Sequence, residues 1–257
     1  MSKEKQLKSI GRLLEIMDDL REKCPWDKKQ TFESLKPLTI EETFELADAI
    51  SENNIEEIKN ELGDLLLHVI FYSRIASESN KFDISDVADS ISEKLIYRHP
   101  HVYNKTEKIN EKEVKLNWEM LKLEDGRKSV LEGVPKSLPS ILKSMRIQQK
   151  ASNVGFDWSD QGKVKNKILE ELKELSDELE IGDNKKIEDE FGDLIFSVIN
   201  FGRYIGINPD SALEKTNNKF IKRFMFIENK MKSESKSFQN SSLDELNKYW
   251  ELSKLKF

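Results

Sequence analysis

The chain has a single cysteine, Cys24, in 257 residues. One thiol excludes an intrachain disulfide and a cysteine-built zinc site. Turn formers are scarce: 10 glycines and 6 prolines, about half the usual share. All-β sandwiches and barrels need turn signals every 8–12 residues or so, which argues against those classes. No apolar run approaches the ~20 residues of a membrane span; the longest are LLLHVIFY (65–72) and LIFSVINF (194–201). The opening MSKEKQLKSI has no apolar signal core. We expect a cytoplasmic protein with no membrane partner. A basic excess is also missing, with 42 Lys and Arg against 48 Asp and Glu and a net charge of −6. Such a balance does not suit a nucleic-acid backbone. The phosphate-cradling GxxxxGK[ST] loop of P-loop enzymes is absent as well.

Charged residues make up 35 % and hydrophobic ones 37 %, the profile of amphipathic helices with wet outer faces. Apolar spacing predicts helices over about 5–22, 39–52, 55–79, 110–124, 138–152, 160–180, 184–205, 210–232 and 242–255, with another opening at Ser85 and ending near His99-Pro100. Thr39 with Glu42, and Ser242 with Glu245, read as capping boxes. No strand is predicted. EDGRKSVLEGVPKSLPS (124–140) holds two glycines and two prolines and reads as a linker. The expected organisation is all-α, with domains at 1–125 and 141–257 and a linker at 126–140.

The two halves are copies. A shift of 129 lays residues 38–74 over 167–203 without a gap, with 13 of 37 positions identical. ELGDLLLHVIFYSR (61–74) falls on EFGDLIFSVINFGR (190–203). Each copy carries four acids, Glu42, Glu45, Glu61 and Asp64 in the first and Glu171, Glu174, Glu190 and Asp193 in the second. Each i,i+3 pair shares one helix face. Glu45 and Glu61 lie symmetrically about residue 53, as do Glu42 and Asp64; Gly182 is the midpoint of the second copy. A short turn there makes the helices antiparallel and brings the acids to matching heights.

Two unit charges ~5 Å apart repel by roughly 3 kcal/mol at an effective dielectric of 20. Such a cluster therefore protonates or binds a cation. Oxygen donors alone favour Mg²⁺, with Mn²⁺ as a substitute. A di-iron bundle is disfavoured, because it wants Glu-x-x-His on two helices; His68 lies nearby, but Ser197 takes its place in the copy.

Further groups suit a phosphorylated ligand. Lys219 and Arg223 share a helix face, matched by Lys94 and Arg98 in the first copy. Lys167 lies one turn before Glu171, and Lys186 one turn before Glu190. Trp26 and Trp158 precede the acidic helices, and Trp118 and Trp250 follow the bundles. Each suits base stacking or a core equally. His99 and His101 read as helix-end residues, and Cys24 as structural.

With these residues in view, the chain resembles the MazG family of nucleoside triphosphate pyrophosphohydrolases. The resemblance rests on EExxE…ExxD in two copies, CPWDKKQTF (24–32), YRHPHVY (97–103), KSLPSILKSMRIQQKASNVGFDW (136–158) and KTNNKFIKRF (215–224). It implies two tandem helical-bundle domains, a homodimer, and Mg²⁺ on the signature carboxylates. It also implies hydrolysis of nucleoside triphosphates, ATP included, to monophosphate and pyrophosphate, with a broad substrate range and a role in clearing unwanted nucleotides. By position, Glu171, Glu174, Glu190 and Asp193 would hold metal. Lys167, Glu170, Lys186, Ile187, Glu188, Asp189, Lys219, Arg223 and Trp250 would contact nucleotide. Glu170, about 100° around the helix from Glu171, is a candidate general base, as are the ligand carboxylates Glu171 and Glu174.

The copies differ in their cations. Lys167, Lys185 and Lys186 become Leu38, Glu56 and Glu57 in the first copy. A triphosphate carries more charge than one Mg²⁺ cancels, so we place the main catalytic site in residues 141–257 and read the first acid set as weaker. The competing reading is a non-catalytic helical interaction or regulatory protein with structural acid clusters.

Overall fold

The structure, a computed structural model, describes residues 2–103, 110–124 and 126–257. Among the described residues there are helices and two short 3-10 turns and no strand. In chain order the helices are α1 (Lys3–Lys23), α2 (Phe32–Ser51), α3 (Ile55–Ser77), α4 (Ile84–Arg98), α5 (Pro100–Tyr103), α6 (Glu111–Glu124), α7 (Ser140–Asn153), α8 (Gln161–Ile181), α9 (Asn184–Tyr204), α10 (Pro209–Ser233) and α11 (Leu243–Lys254).

Two expected helix starts are corrected. Thr39 does not open α2. Thr31 does so eight residues earlier, where its side chain accepts from the Ser34 amide while Ser34 accepts from the Thr31 amide. That box satisfies the free N–H groups of the first turn and extends the helix upstream through Pro37. Asp83, not Ser85, caps α4, because its carboxylate reaches the amides of both Ser85 and Asp86.

The chain divides into two compact units, Met1–Lys108 and Ile109–Phe257. The sequence-based boundary at Asp125 lies outside the described residues. Residues 126–140, expected as a linker, fall with the second unit. The physical reason is an ion pair on α7. Lys150 Nζ lies 2.9 Å from Glu119 Oε2 on α6, and both side chains are only 2 % exposed. The same ammonium donates to the Val130 carbonyl at 2.5 Å. A buried ammonium needs such partners, so the segment is held to the unit.

Each unit is built on a two-helix hairpin, α2–α3 in the first and α8–α9 in the second, the most extensively packed helix pairs of the chain. Both turns contain a left-handed residue, Asn53 at φ 56° and Gly182 at φ 84°. These are the residue types that adopt that region at least cost. They are also the midpoints about which the acids are symmetric. In unit 1, Met17, Leu35, Ile70 and Phe71 form the buried core, flanked by Leu38, Leu67 and Tyr72. Unit 2 buries Val164, Leu175 and Ile199, and Ile227, Met231 and Tyr249 join α10 to α11.

Candidate active site

In unit 2 the hairpin brings carboxylate oxygens of Glu171, Glu174 and Glu190 within 4.8 Å of one another. Glu171 is 5 % exposed, whereas Glu174 faces solvent. Asp193 stands outside this tight group. It lines a neighbouring cavity together with Glu171 and Lys167. Lys167 Nζ bridges two acids, at 2.6 Å from Glu170 Oε1 and 2.7 Å from Glu171 Oε1. Those hydrogen bonds, Glu170 first, hold the ammonium proton well above the usual lysine range. Glu174 shifts upward, through loss of hydration first and repulsion from Glu171 and Glu190 next, with Lys167 opposing.

Unit 1 repeats the geometry without the lysine. Glu42, Glu45 and Glu61 gather within 4.8 Å. Glu42 and Glu61 both shift upward. Burial is the first cause in each, followed for Glu42 by Asp64 and Glu45, and for Glu61 by Glu45 and Glu42. Oε2 of Glu61 is buried with no hydrogen-bond partner. Leu38 offers no cation where unit 2 has Lys167.

Both sets fit a hard divalent cation by donor chemistry. All donors are carboxylate oxygens from two rigid helices, and their mutual repulsion is what a bound cation relieves.

The cavity beside the unit 2 acids has a volume of about 600 Å³, within the usual range for a small-molecule pocket. Leu131, Ile147, Phe156, Trp158 and Phe196 supply apolar wall, and Gln148, Ser197 and Asn200 supply polar groups. One side is fastened by Arg203 and Asp157, whose paired contacts are 2.6 and 3.0 Å. Burial alone would raise the Asp157 carboxyl. Hydrogen bonds from Arg203, Ser152 and the Trp158 amide outweigh it and hold the group below its ordinary range. Sequence reasoning flagged Trp158 and missed Gln148, Asn200 and the Asp157–Arg203 pair. A signal was present in Arg203, which matches Arg74 in the first copy.

Unit 1 has packed bulk at the matching positions. Ser197 and Asn200 correspond to His68 and Phe71. Phe71 is 3 % exposed. His68 is buried, with Nδ1 2.6 Å from Thr39 Oγ1, which lies 2.6 Å from Tyr72 Oη. Tyr72 stacks on Phe32 with ring centroids 5.6 Å apart. Burial lowers the His68 pKa, with Asp64 opposing, and so favours the neutral ring.

The remaining predicted contacts are dispersed. Lys186, in the first turn of α9, lies 3.4 Å from Glu178. Ile187 is half-buried, and Glu188 and Asp189 are exposed. Lys219, Arg223 and Trp250 belong to the α10–α11 hairpin. Arg223 sits 5.6 Å from the Trp250 ring and donates to the Phe257 backbone oxygen at 2.6 Å. Among the described residues no hydrogen bond, ion pair or ring contact joins that hairpin cluster to the acids.

Comparison with known proteins follows the same two stretches. The family profile of the MazG nucleotide pyrophosphohydrolase domain matches residues 30–103 and 160–225. A nucleoside triphosphate pyrophosphohydrolase of Escherichia coli (strain K12) is 39 % identical over 254 residues, covering 95 % of this chain and 97 % of that protein. A nucleoside triphosphate pyrophosphohydrolase/pyrophosphatase MazG of Thermotoga maritima is 43 % identical over 247 residues, 94 % of each chain. An uncharacterised protein of Bacillus subtilis, YabN, is 41 % identical over 231 residues, covering 88 % of this chain and 47 % of that one. The similarity runs through both acidic hairpins and nearly the whole length, and the chain belongs to the MazG nucleotide pyrophosphohydrolase family.

Proposed function

We propose that the chain is an enzyme that hydrolyses nucleoside triphosphates to monophosphate and pyrophosphate, with its main site in unit 2. The observation that carries this reading is the junction of two features. Glu171 belongs to the carboxylate cluster and also lines the apolar cavity, beside Asp193 and the Lys167 that bonds to it. A nucleoside in the cavity would lead its phosphates toward the acids. Glu171, Glu174 and Glu190, with Asp193, would hold Mg²⁺ or Mn²⁺. When bound, the ion offsets phosphate charge and makes a water more acidic.

The chain's own groups do the rest. Lys167 exchanges its carboxylate partners for phosphate oxygens, a role for which an ammonium is suited. By the family resemblance, Lys186, Lys219 and Arg223 would add positive charge. Water bonds to the α-phosphorus as the bond to the bridging oxygen breaks, and pyrophosphate leaves with that electron pair. Glu170, freed when Lys167 turns to phosphate, would take the water proton. Phe156 and Trp158 shield one side of the cavity. A pocket lined mainly by apolar groups tolerates varied bases, which supports a broad substrate range and a role in clearing nucleotides.

Unit 1 is read as weak or inactive, because its acids lack the lysine and the matching wall carries Phe71 and His68. Homodimerisation is part of the same proposal. Phe191, Ile195 and Val198 form an exposed apolar stripe on α9, repeated by Leu62, Leu66 and Val69 on α3. Such faces are covered in assemblies.

Pyrophosphate release from mixed nucleoside triphosphates with Mg²⁺ tests the activity. Glu174→Gln is expected to lower turnover at least tenfold with an unchanged circular dichroism spectrum, and Glu45→Gln to cost much less. Equal losses would show that both units catalyse; no loss from Glu174→Gln would remove it from the site.

A further inference from the structure

We propose that Gln148 reads the base edge of the nucleotide, its Oε1 accepting from a ring or exocyclic N–H of the base. This rests on the reading of unit 2 as a triphosphate hydrolase and adds a specificity-determining residue to it. Gln148 is on α7, 6 % exposed, and lines the cavity. Its Nε2 donates to the Phe196 carbonyl at 2.8 Å. That bond sets the amide's orientation, since the opposite flip would face oxygen with oxygen. The other end, Oε1, is buried and has no hydrogen-bond partner. Folded chains rarely leave a buried acceptor unmatched, because its lost hydration is not recovered. A ligand N–H in the cavity recovers it.

Asn200 supplies the complement. Its Oδ1 accepts from Arg203 Nε at 3.0 Å, so the remaining amide nitrogen is a donor. Asn200 lines the same cavity. It lies one helical turn after Phe196, whose carbonyl holds Gln148. One cavity thus has both an acceptor and a donor in its lining. Adenine and cytosine meet them with an amino group beside a ring nitrogen. Guanine and uracil meet them with a ring N–H beside a carbonyl. Trp158 and Phe156 provide apolar faces on which any base stacks. The pocket therefore tolerates all four ordinary bases and discriminates against a base whose edge N–H has been removed. Unit 1 has Phe71 in place of Asn200 and carries no such donor there.

The test uses the full-length chain with Mg²⁺ and two substrate pairs: ATP against purine riboside triphosphate, and UTP against its N3-methyl form. Pyrophosphate release is measured, together with binding of inorganic tripolyphosphate, which has no base. We expect the wild type to show a KM about tenfold higher for each N–H-deficient member, the size of one hydrogen bond to a buried acceptor. Gln148→Leu should raise the KM for ATP and UTP about tenfold and erase both differences. Its kcat should stay within about twofold, with tripolyphosphate affinity and the circular dichroism spectrum unchanged. Equal KM values for the pair members in the wild type would overturn the proposal without any variant. So would discrimination that survives in Gln148→Leu, or a parallel loss of tripolyphosphate binding. If no triphosphate releases pyrophosphate, the activity reading falls. Equilibrium titrations with the same pairs then still decide Gln148, and equal affinities overturn its role.

Discussion

Replacing Lys167 by methionine keeps a long unbranched side chain and removes one charge. In the metal-free chain that charge lies 2.6 Å from Glu170 and 2.7 Å from Glu171. The Glu171 side chain is 7 % exposed and that of Lys167 is 35 % exposed. Breaking a buried ion pair costs about 3–5 kcal/mol, and an exposed pair contributes about 0–1 kcal/mol. The mixed exposure places Lys167→Met between them, at about 2 kcal/mol. For a domain of this size class that is a fall in Tm of roughly 4–8 °C in EDTA. A divalent ion on the same acids replaces the missing charge and no longer competes with an ammonium. The Tm increment from Mg²⁺, of order 2.7 kcal/mol at a hundredfold excess over Kd, should be larger in Lys167→Met than in the wild type. Pyrophosphate release should fall at the same time, because the phosphates lose a cation. The assay is thermal denaturation in EDTA, in Mg²⁺, and in Na⁺ at matched ionic strength. Equal Mg²⁺ increments in the two proteins would refute the competition. An equal response to Na⁺ would reduce the effect to screening.

Glu61 titrates above its ordinary value of 4.5. Its contribution favours the fold below that value and is lost as pH rises through the higher folded pKa. Without Mg²⁺, Glu61→Gln should therefore raise Tm more at pH 7 than at pH 4.5, and a pH-independent change would refute this. Asn200→Phe installs the side chain that unit 1 buries at Phe71; nucleotide affinity should drop at least tenfold with circular dichroism intact, and unchanged affinity would remove the cavity from the site. Lys150→Met takes the ammonium from buried Glu119 and should destabilise by about 3–5 kcal/mol in urea unfolding, with Lys150→Met/Glu119→Met recovering much of the loss. A loss under about 1 kcal/mol would show that the Lys150 ammonium does not fasten residues 126–140 through the Val130 carbonyl.

What the sequence by itself determined was whatever depends on near neighbours. Helix periodicity, the duplicated signature, and the symmetry of the acids about Asn53 and Gly182 are all local, and the left-handed φ at both residues is the turn that this symmetry required. The three-acid groups follow from that turn and from i,i+3 spacing. Only the tertiary structure decided what Thr39 does. Its sequence neighbourhood reads as a cap, but the Thr31–Ser34 box forms upstream and frees its hydroxyl for His68 and Tyr72, 29 and 33 residues away. Likewise residues 126–140 have linker composition, and the buried Lys150 ammonium that holds them by the Val130 carbonyl cannot be inferred from composition. The cavity is the clearest case. Its wall comes from residue 131, from α7, from 156–158, from α8 and from α9. Whether such segments leave a space, and whether Gln148 keeps an unmatched acceptor beside it, depends on how side-chain volumes from distant positions fill a shared boundary. Helical periodicity carries no information on that filling, because the same register position holds Phe71, which is packed in, and Asn200, which borders open space.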